Sequence, residues 1–357
     1  MFLAELGIEN LRCIEKAELE LAAGTNLIFG ANGAGKTSLL EAVFLLGRGR
    51  SFRTRLNERL IRHGQPICRT IGQLQAEPQA RRLGVEVRRG TGGKGGTVGR
   101  LDGGDVRSLA ELAVAFPVQA MDPDAHKLIE DSATRRRRWL DWVVFHVEPG
   151  FTSLWVRYQR ALQQRNAALR SGRQEYAVWD PELARDGEAM TLARERVVMA
   201  LHPYWAEVSA ELTGVDITLD FQAGWDRQAS LADSLLVSAR RDQERRTTHL
   251  GPHRADVVLR VKGRPAREVL SRGQQKLAAV ALHLCQLEYL KTEFGLRPTL
   301  LLDDPSAELD QDRLGKFIQR IRALETQTIV AVLDRDTRLF GTPERVFHVE
   351  QGRVIRV

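Results

Sequence analysis

Residues 30–38, near the start of the chain, have the types and spacing that bind a phosphate group. They fit the pattern G-x-x-x-x-G-K-[ST] and lie between the apolar segments 27–29 and 39–44. A glycine loop between a strand and a helix brings backbone N–H groups and the positive helix end to phosphate oxygens. Lys36 then supplies a cation to the β- and γ-phosphates of a nucleotide, and Thr37 a hydroxyl to Mg²⁺. The predicted nucleotide-binding residues are Gly30, Ala31, Asn32, Gly33, Ala34, Gly35, Lys36, Thr37 and Ser38.

A second part of such a site lies far downstream, where the apolar run 299–302 ends in Asp303 and Asp304. In a P-loop fold the first carboxylate, Asp303, helps to hold Mg²⁺, and the second, Asp304, polarises an attacking water. Apolar strands often end in Asp, so the pattern becomes informative because it complements residues 30–38. Together the two segments predict a Mg·ATP site, with Asp304 and Lys36 as its catalytic residues.

A third segment, 271–274, precedes the apolar run 277–285, so a polar turn opens a buried helix. The N-terminus of such a helix can direct a serine hydroxyl and a glycine amide at an anion. An ordinary N-cap by Ser271 is the alternative. The order of the segments along the chain favours anion binding, and the residues predicted to contact nucleotide are Ser271, Arg272, Gly273 and Gln274.

Composition narrows the class of protein. The chain has 357 residues and a formal net charge of +7, which favours an acidic partner such as nucleic acid or an anionic membrane surface. No apolar run reaches the roughly 20 residues that span a bilayer, and the N-terminus lacks the pattern of a signal peptide. We therefore expect a cytoplasmic protein without a membrane partner. Its cysteines, Cys13, Cys68 and Cys285, are scattered singly, so neither a disulfide framework nor a metal cluster is expected.

The arrangement of apolar and turn residues predicts an α/β fold in three parts. Residues 1–125 form one half of an ATPase head with antiparallel strands such as 82–87, residues 126–250 form a helical insertion, and residues 251–357 form the other half. The glycine-rich stretch 90–96 is predicted to be a hairpin tip. Helix breaks that keep the helices of the insertion short are predicted at Pro149, Gly150, Gly172, Pro181, Pro203 and Gly214.

With these segments in this order, the chain resembles the ABC-type ATPases, and within the ABC/SMC-like group it resembles the RecF family of bacterial recombination mediators. The resemblance extends over nearly the whole length. Besides the ATPase motifs it is carried by 11–12, 49–54, 139–141, 159–170 and 251–256. It implies an ABC-type P-loop ATPase head with a mixed sheet, in which 306–310 resembles the D-loop. By position Gln119 resembles the Q-loop glutamine that senses Mg²⁺ and the γ-phosphate, although a surface glutamine near a strand end is the alternative.

The resemblance also implies an activity. Residues 271–274 resemble the signature segment of ABC ATPases. In that superfamily the signature segment of one subunit closes over the ATP held by another, so an ATP-dependent homodimer is expected. The RecF family binds duplex DNA and its junctions with single strands, and we expect a weak, DNA-stimulated ATPase. Its members act with RecR and RecO to load RecA on gapped DNA, in replication-coupled repair and the SOS response.

Two departures from ABC patterns stand out. Asp304 occupies the position where many ABC ATPases have Glu, and its shorter side chain fits the slow turnover of a switch. The strand 328–333 leads into Asp334 rather than a switch histidine, so neither His253 nor His348 is assigned that role.

Arginines on the insertion are candidates for DNA contact, with structural pairing an equal alternative for each. They are Arg135, Arg136, Arg137, Arg138, Arg157, Arg160, Arg165 and Arg170, and Lys94 is a weaker candidate. Other classes sharing the three ATPase motifs are a transporter subunit and a pure ATP-gated dimer clamp with negligible hydrolysis. A coiled-coil ATPase is disfavoured because the chain lacks sustained heptads and a Cys-x-x-Cys hook.

Overall fold

The structure is a computed structural model that describes residues 1–77, 79–90, 95–172, 174–305, 311–335 and 340–357. Its strands are β1 (Phe2–Leu11), β2 (Ile14–Glu20), β3 (Thr25–Phe29), β4 (Ile67–Gln75), β5 (Arg81–Arg88), β6 (Gly96–Leu101), β7 (Gly104–Asp105), β8 (Val118–Met121), β9 (Thr218–Gln222), β10 (Asp256–Val261), β11 (Arg264–Pro265), β12 (Thr299–Asp303), β13 (Thr328–Val332), β14 (Arg345–Glu350) and β15 (Arg353–Arg356). Its α-helices are α1 (Lys36–Arg48), α2 (Ala110–Ala115), α3 (Lys127–Glu130), α4 (Ala133–Val147), α5 (Phe151–Arg170), α6 (Asp180–Thr213), α7 (Leu231–Arg245), α8 (Ala266–Val269), α9 (Arg272–Phe294) and α10 (Gln311–Leu324).

The chain divides into two units, one made of residues 1–125 and 295–357 and the other of residues 126–294. The sequence analysis placed boundaries at 125/126 and 250/251, and these units divide the chain at 125/126 and 294/295. Within the second unit, α9 packs along α6. The signature segment 271–274 therefore lies in the second unit.

A six-stranded sheet forms the centre of the first unit, in the order β15-β14-β3-β13-β12-β8. The strands from β14 to β8 are parallel, and β15 pairs antiparallel at one edge. All five residues of β13 are buried, as expected for a parallel strand that is covered on both faces. The parallel register brings the carboxyl ends of β3, β12 and β8 to one edge, where ligands of such sheets bind.

An antiparallel sheet, β2-β1-β4-β5-β6-β7, completes the first unit. Strand β4 alternates buried and exposed residues, so this sheet has one face on the core. Helix α1 contacts both sheets, which explains why it is apolar on nearly every side from Leu39 to Leu46. The predicted mixed α/β fold with antiparallel strands is confirmed.

The second unit consists of packed helices and the three-stranded sheet β11-β10-β9. Strand β9 lies inside the stretch expected to be helical. The expectation of short helices is wrong for α6, which has 34 residues. Pro181 lies in its first turn, where no intrahelical N–H bond is lost. Pro203 lies inside it on an exposed face, and Met199, whose carbonyl loses its partner, is 70% exposed, so water can replace the missing bond.

Candidate nucleotide site

The turn between β3 and α1 has a backbone that glycine adopts most easily. The φ angle is +79° at Gly33 and +118° at Gly35, in the left-handed region that disfavours other residues. At Gly30 a Cβ atom would lie 2.2 Å from the backbone oxygen of Val349. Curvature and close approach to β14 therefore require these glycines.

Lys36 is the first residue of α1, and only 9% of it is exposed. Its Nζ donates hydrogen bonds to the backbone oxygens of Gly30, at 2.6 Å, and Ala31, at 3.0 Å. These acceptors offset the cost of burying an ammonium group. The loop thus holds a positive charge beside a helix N-terminus, and both features favour an anion.

Thr37 and Asp303 connect the loop to the end of β12. The Thr37 hydroxyl donates to Oδ1 of Asp303 at 3.1 Å. Burial raises the pKa of the Asp303 carboxyl above its ordinary value, and the hydrogen bond from Thr37 opposes this effect. A carboxylate and a hydroxyl side by side are the hard oxygen donors that suit Mg²⁺. The described residues contain no group of three or more His, Cys, Asp or Glu placed to hold a metal. Mg²⁺ that binds with a nucleotide typically takes one or two carboxylates, phosphate oxygens and several waters as ligands.

Asp304 has a left-handed backbone, with φ of +50°, which Asp tolerates better than most residues. Its N–H donates to the backbone oxygen of Ala331 at 2.9 Å. This bond anchors the residue to the end of β13, beside the cavity that Asp304 helps to line.

A cavity of about 530 Å³ adjoins the loop, a size typical of small-ligand sites. The structure brings these predicted residues to its wall: Asn32, Gly33, Gly35, Lys36, Thr37, Ser38, Asp303 and Asp304. The wall also contains residues that the sequence analysis did not assign: Cys13, Phe52, Arg53, Asp122, Pro123 and Asp124. Of these, only Phe52 and Arg53 were indicated by the sequence, because they belong to segment 49–54, which carries part of the family resemblance.

Gln119 is not among the described residues that line this cavity. It lies within β8 opposite Leu300 of β12, and its Nε2 donates to the backbone oxygen of Ala120 at 2.9 Å. Asp303 is three residues beyond Leu300, about 10 Å further along the strand. A role for Gln119 at Mg²⁺ stays a prediction.

Glu41 of α1 is a buried acid that the sequence analysis missed. It accepts a hydrogen bond from Ser51 Oγ at 2.5 Å, and Ser51 Oγ in turn accepts from the N–H groups of Arg53 and Thr54. Arg53 Nη1 lies 3.9 Å from the Glu41 carboxylate. Glu41 thereby holds the loop that presents Phe52 and Arg53 to the cavity.

The signature segment forms a reciprocal cap at the start of α9. The N–H of Ser271 donates to Gln274 Oε1 at 3.0 Å, and the N–H of Gln274 donates to Ser271 Oγ at 3.3 Å. Ser271, Arg272 and Gly273 are exposed. Capping is thus present, and the exposed N-terminus of this 23-residue helix is also available to an anion.

The arginines of the second unit fall into two groups. Several make structural ion pairs: Arg135 with Asp131 (2.6 Å), Arg136 with Asp256 (2.8 Å), Arg157 with Asp186 (2.9 Å), and Arg165 with Asp180 (2.6 Å) and Asp242 (2.7 Å). Arg165 is fully buried, and Arg137 donates to the backbone oxygen of Ala255. Arg138, Arg160 and Arg170 are exposed, as Arg135 and Arg157 are, but none of these three forms an ion pair with a described residue. Phosphate contact is therefore best supported for these last three.

The family-like segment 251–256 is a junction within the second unit. Side chains from three helices hold it: Arg194 of α6 binds the Pro252 carbonyl (2.8 Å), Tyr158 of α5 the His253 ring (2.7 Å), and Arg137 and Arg136 of α4 the Ala255 carbonyl (2.6 Å) and Asp256 (2.8 Å). These contacts give the residues of the segment a structural role in the second unit.

Several residues predicted or considered from the sequence are outside the described residues or are not found at the cavity wall. The D-loop-like segment 306–310, residues 91–94 of the expected hairpin tip and the DNA candidate Lys94 lie outside the described residues. His348 stacks on Phe29, with ring centroids 4.8 Å apart, and His253 lies in the second unit. Neither is among the described residues of the cavity wall.

Comparison with known families gives a match over almost the whole chain. The model described as RecF/RecN/SMC N terminal domain matches residues 2–354. The chain is 40% identical to the DNA replication and repair protein RecF of Xanthomonas euvesicatoria pv. vesicatoria (strain 85-10), over 100% of this chain and 99% of that protein. It is 39% identical to the protein of the same name from Azotobacter vinelandii, over 99% of this chain and 98% of that protein.

Solved structures agree. The recombination mediator protein RecF-ATP in the RecFOR pathway superposes with a TM-score of 0.88 at 25% identity, over 100% of this chain and 97% of the other. An Smc head bound to the C-winged helix domain of ScpA superposes with a TM-score of 0.61 at 15% identity, over 100% of this chain and 98% of the other. At this low identity the similarity shows the fold alone. The predicted ABC/SMC-type head fold is confirmed. None of the described helices is both long and apolar enough to span a bilayer.

Proposed function

This chain belongs to the RecF/RecN/SMC family, and on that basis we propose that it is an ATP-dependent DNA-binding protein of replication and repair. Its full-length relatives named RecF and the ATP-bound RecF neighbour support both parts of the proposal. The observation that carries it is the Thr37–Asp303 hydrogen bond. This contact joins two motifs 266 residues apart in the sequence, as a nucleotide site requires.

The loop residues bind the triphosphate in this proposal. Lys36 is held by two carbonyl oxygens and directs its charge to the β- and γ-phosphates. Thr37 and Asp303 hold Mg²⁺, which when bound neutralises the charge that develops on the phosphates. Arg53, held near Glu41, adds a second cation at the cavity wall.

Asp304 orients the water that attacks the γ-phosphate. Asp304 lines the same cavity as Asp303, and its backbone is tied to β13. Because an Asp side chain is shorter than Glu by one methylene group, its reach to this water is reduced. We therefore propose a weak ATPase, stimulated by DNA, that works as a switch.

The exposed start of α9 binds the ATP of a second copy. Ser271–Gln274 close over nucleotide held by residues 30–38 of the partner, so ATP bridges a homodimer. The joined heads bind duplex DNA and its junctions with single strands, and hydrolysis reopens them. In this proposal RecR and RecO are partners, and the result is RecA loading on gapped DNA, in replication-coupled repair and the SOS response.

Sedimentation velocity with and without ATP, in the presence of duplex DNA, tests this proposal. Wild type should form a DNA-bound dimer only with ATP, and Ser271→Arg should stay monomeric because the new side chain blocks the anion-binding turn. Ser230→Arg is the matched control, since Ser230 is also a capping serine at the start of a helix, α7. A wild-type protein that stays monomeric and ignores DNA with every nucleotide would contradict the proposal.

Asp304→Asn separates a switch from a pure ATP-gated clamp. In a switch, the variant keeps ATP-induced dimers and loses their dissociation, because the water is no longer polarised. In a clamp with negligible hydrolysis, the variant and wild type dissociate at the same rate. Dimer lifetime after dilution into excess ADP is the measurement.

A further inference from the structure

The register between β8 and β12 places Asp122, which belongs to no recognised sequence motif, at the nucleotide cavity. The two strands are parallel, and Met121 lies opposite Leu302. The next residues along each strand direction, Asp122 and Asp303, are therefore at the same level, at the carboxyl edge of the sheet. Both line the nucleotide cavity. Gln119 lies three residues earlier on β8, about 10 Å below that edge.

Charge at the cavity wall points to a cation. Among its described residues, four are carboxylates, Asp122, Asp124, Asp303 and Asp304, and two are cationic, Lys36 and Arg53. A bound triphosphate adds more negative charge to a wall that is already acidic. A divalent cation between carboxylates and phosphates offsets their mutual repulsion.

Asp122 is better placed than Asp124 to interact with a cation in the nucleotide cavity. It follows the last residue of β8 directly and is half-buried, and its backbone oxygen accepts a hydrogen bond from the N–H of Ala125 at 3.0 Å. Asp124 lies in the turn that this bond closes, and it is exposed. The end of the strand and the turn thus fix the position of Asp122.

We propose that Asp122, rather than Gln119, is the residue of β8 that faces the bound nucleotide, and that its carboxylate supports the Mg²⁺ ion beside Asp303. The inference rests on the proposed function, since the cation enters with ATP. Asp122 is a positioning residue in this role. Outer-shell partners of this kind change metal affinity about 10- to 100-fold when they are replaced.

The test measures ATP affinity by calorimetry twice, with Mg²⁺ and with EDTA. For Asp122→Asn we expect Mg·ATP binding about tenfold weaker, while ATP binding in EDTA is unchanged or tighter because one negative charge is gone. Asp105→Asn is the matched control, because it removes an exposed carboxylate of β7 that lies outside the cavity wall. It should keep the wild-type ratio of the two affinities. Gln119→Ala is measured in parallel as the competing assignment.

The outcomes distinguish Asp122 from Gln119, and the inference from the proposed function. A wild-type ratio in Asp122→Asn, or the loss of Mg²⁺ dependence in Gln119→Ala instead, overturns the inference and leaves the proposed function standing. Equal weakening of both affinities in Asp122→Asn also overturns it, because that result means a general effect on the cavity. A wild-type protein that binds no ATP under either condition contradicts the proposed function itself, and the inference with it.

Discussion

Arg12 and Glu41 form a bidentate ion pair that ties the turn after β1 to the helix of the nucleotide loop. Arg12 Nε and Nη2 each lie 3.0 Å from a carboxylate oxygen of Glu41. The Glu41 side chain has no exposed surface, whereas 27% of the Arg12 side chain is exposed. Water can solvate the Arg12 guanidinium but not the Glu41 carboxylate, so Glu41 depends on the ion pair far more than Arg12 does.

This asymmetry predicts an unusual mutant series. Arg12→Ala leaves a buried carboxylate without its main partner and should destabilise the protein by about 3 kcal/mol. The double variant Arg12→Ala with Glu41→Gln should be more stable than Arg12→Ala alone, because the orphaned charge is removed. Urea unfolding midpoints measure both effects. A double variant less stable than Arg12→Ala would contradict this account of the pair.

Lys36→Arg should lower the ATP hydrolysis rate by about 10²-fold, the usual effect of misplacing a donor to a developing charge. The planar guanidinium cannot take the place of a compact ammonium that contacts the Gly30 and Ala31 oxygens. Steady-state phosphate release measures the rate. Lys262→Arg, at an exposed position of the second unit, is the control. A normal rate in Lys36→Arg would mean that Lys36 is wrongly assigned.

The exposed and the buried arginines should respond differently. Replacing Arg138, Arg160 and Arg170 by Gln should weaken DNA binding and lower its salt dependence, with a slope reduced by about 0.9 for each phosphate that is no longer neutralised. Folding should be unchanged, because these side chains are exposed. Fluorescence anisotropy at several salt concentrations is the measurement, and an unchanged slope would exclude these residues from the DNA surface.

Arg165→Gln should instead destabilise the protein by about 3–5 kcal/mol, because the buried Asp242 carboxylate loses its arginine and keeps only the hydrogen bonds from Ser238 and His249. Any loss of DNA binding should then follow the unfolded fraction. Thermal unfolding of this variant, compared with Arg160→Gln on the same helix, separates a structural arginine from one that binds DNA. Equal stability of the two variants would contradict the assignment.

Acid should weaken the second unit through His253. Burial lowers the pKa of this imidazole to about 4, and its ring nitrogens bond to the Tyr158 hydroxyl and the Thr248 carbonyl. The unfolded chain binds the proton near pH 6.5, so stability falls as the pH drops from 6.5 toward 4, by at most about 3 kcal/mol. His253→Gln should flatten part of this dependence in urea titrations at pH 7 and 4.5. Desolvation also lowers the pKa of half-buried His283 to about 4, so this residue accounts for a similar share of the pH dependence.

Local patterns predicted the parts of the site that are local in sequence. The loop 30–38 and the strand ending at Asp303 were recognisable because glycine spacing and an apolar run are read within a few residues. Glu41, Arg165 and the role proposed for Asp122 were not, since they depend on partners or on a strand register brought from elsewhere in the chain.

The helices show the same limit. Pro203 was expected to end a helix, and the sequence alone does not reveal that it lies on an exposed face where water can satisfy the free carbonyl. The division at 294/295 depends on the packing of α9 on α6, a contact between residues distant in sequence that no local pattern reveals. The architecture itself was predictable, because the order of motifs is typical of an ATPase head.

The place of β3 in its sheet has a consequence for synthesis on the ribosome. This strand, which carries the nucleotide loop, is paired on one side with β13 and on the other with β14. Both neighbours lie beyond residue 327, so a nascent chain cannot complete the loop's support until that distant part has been translated. A chain truncated before residue 328 should therefore bind no nucleotide, and premature termination should yield protein that is inactive rather than permanently clamped.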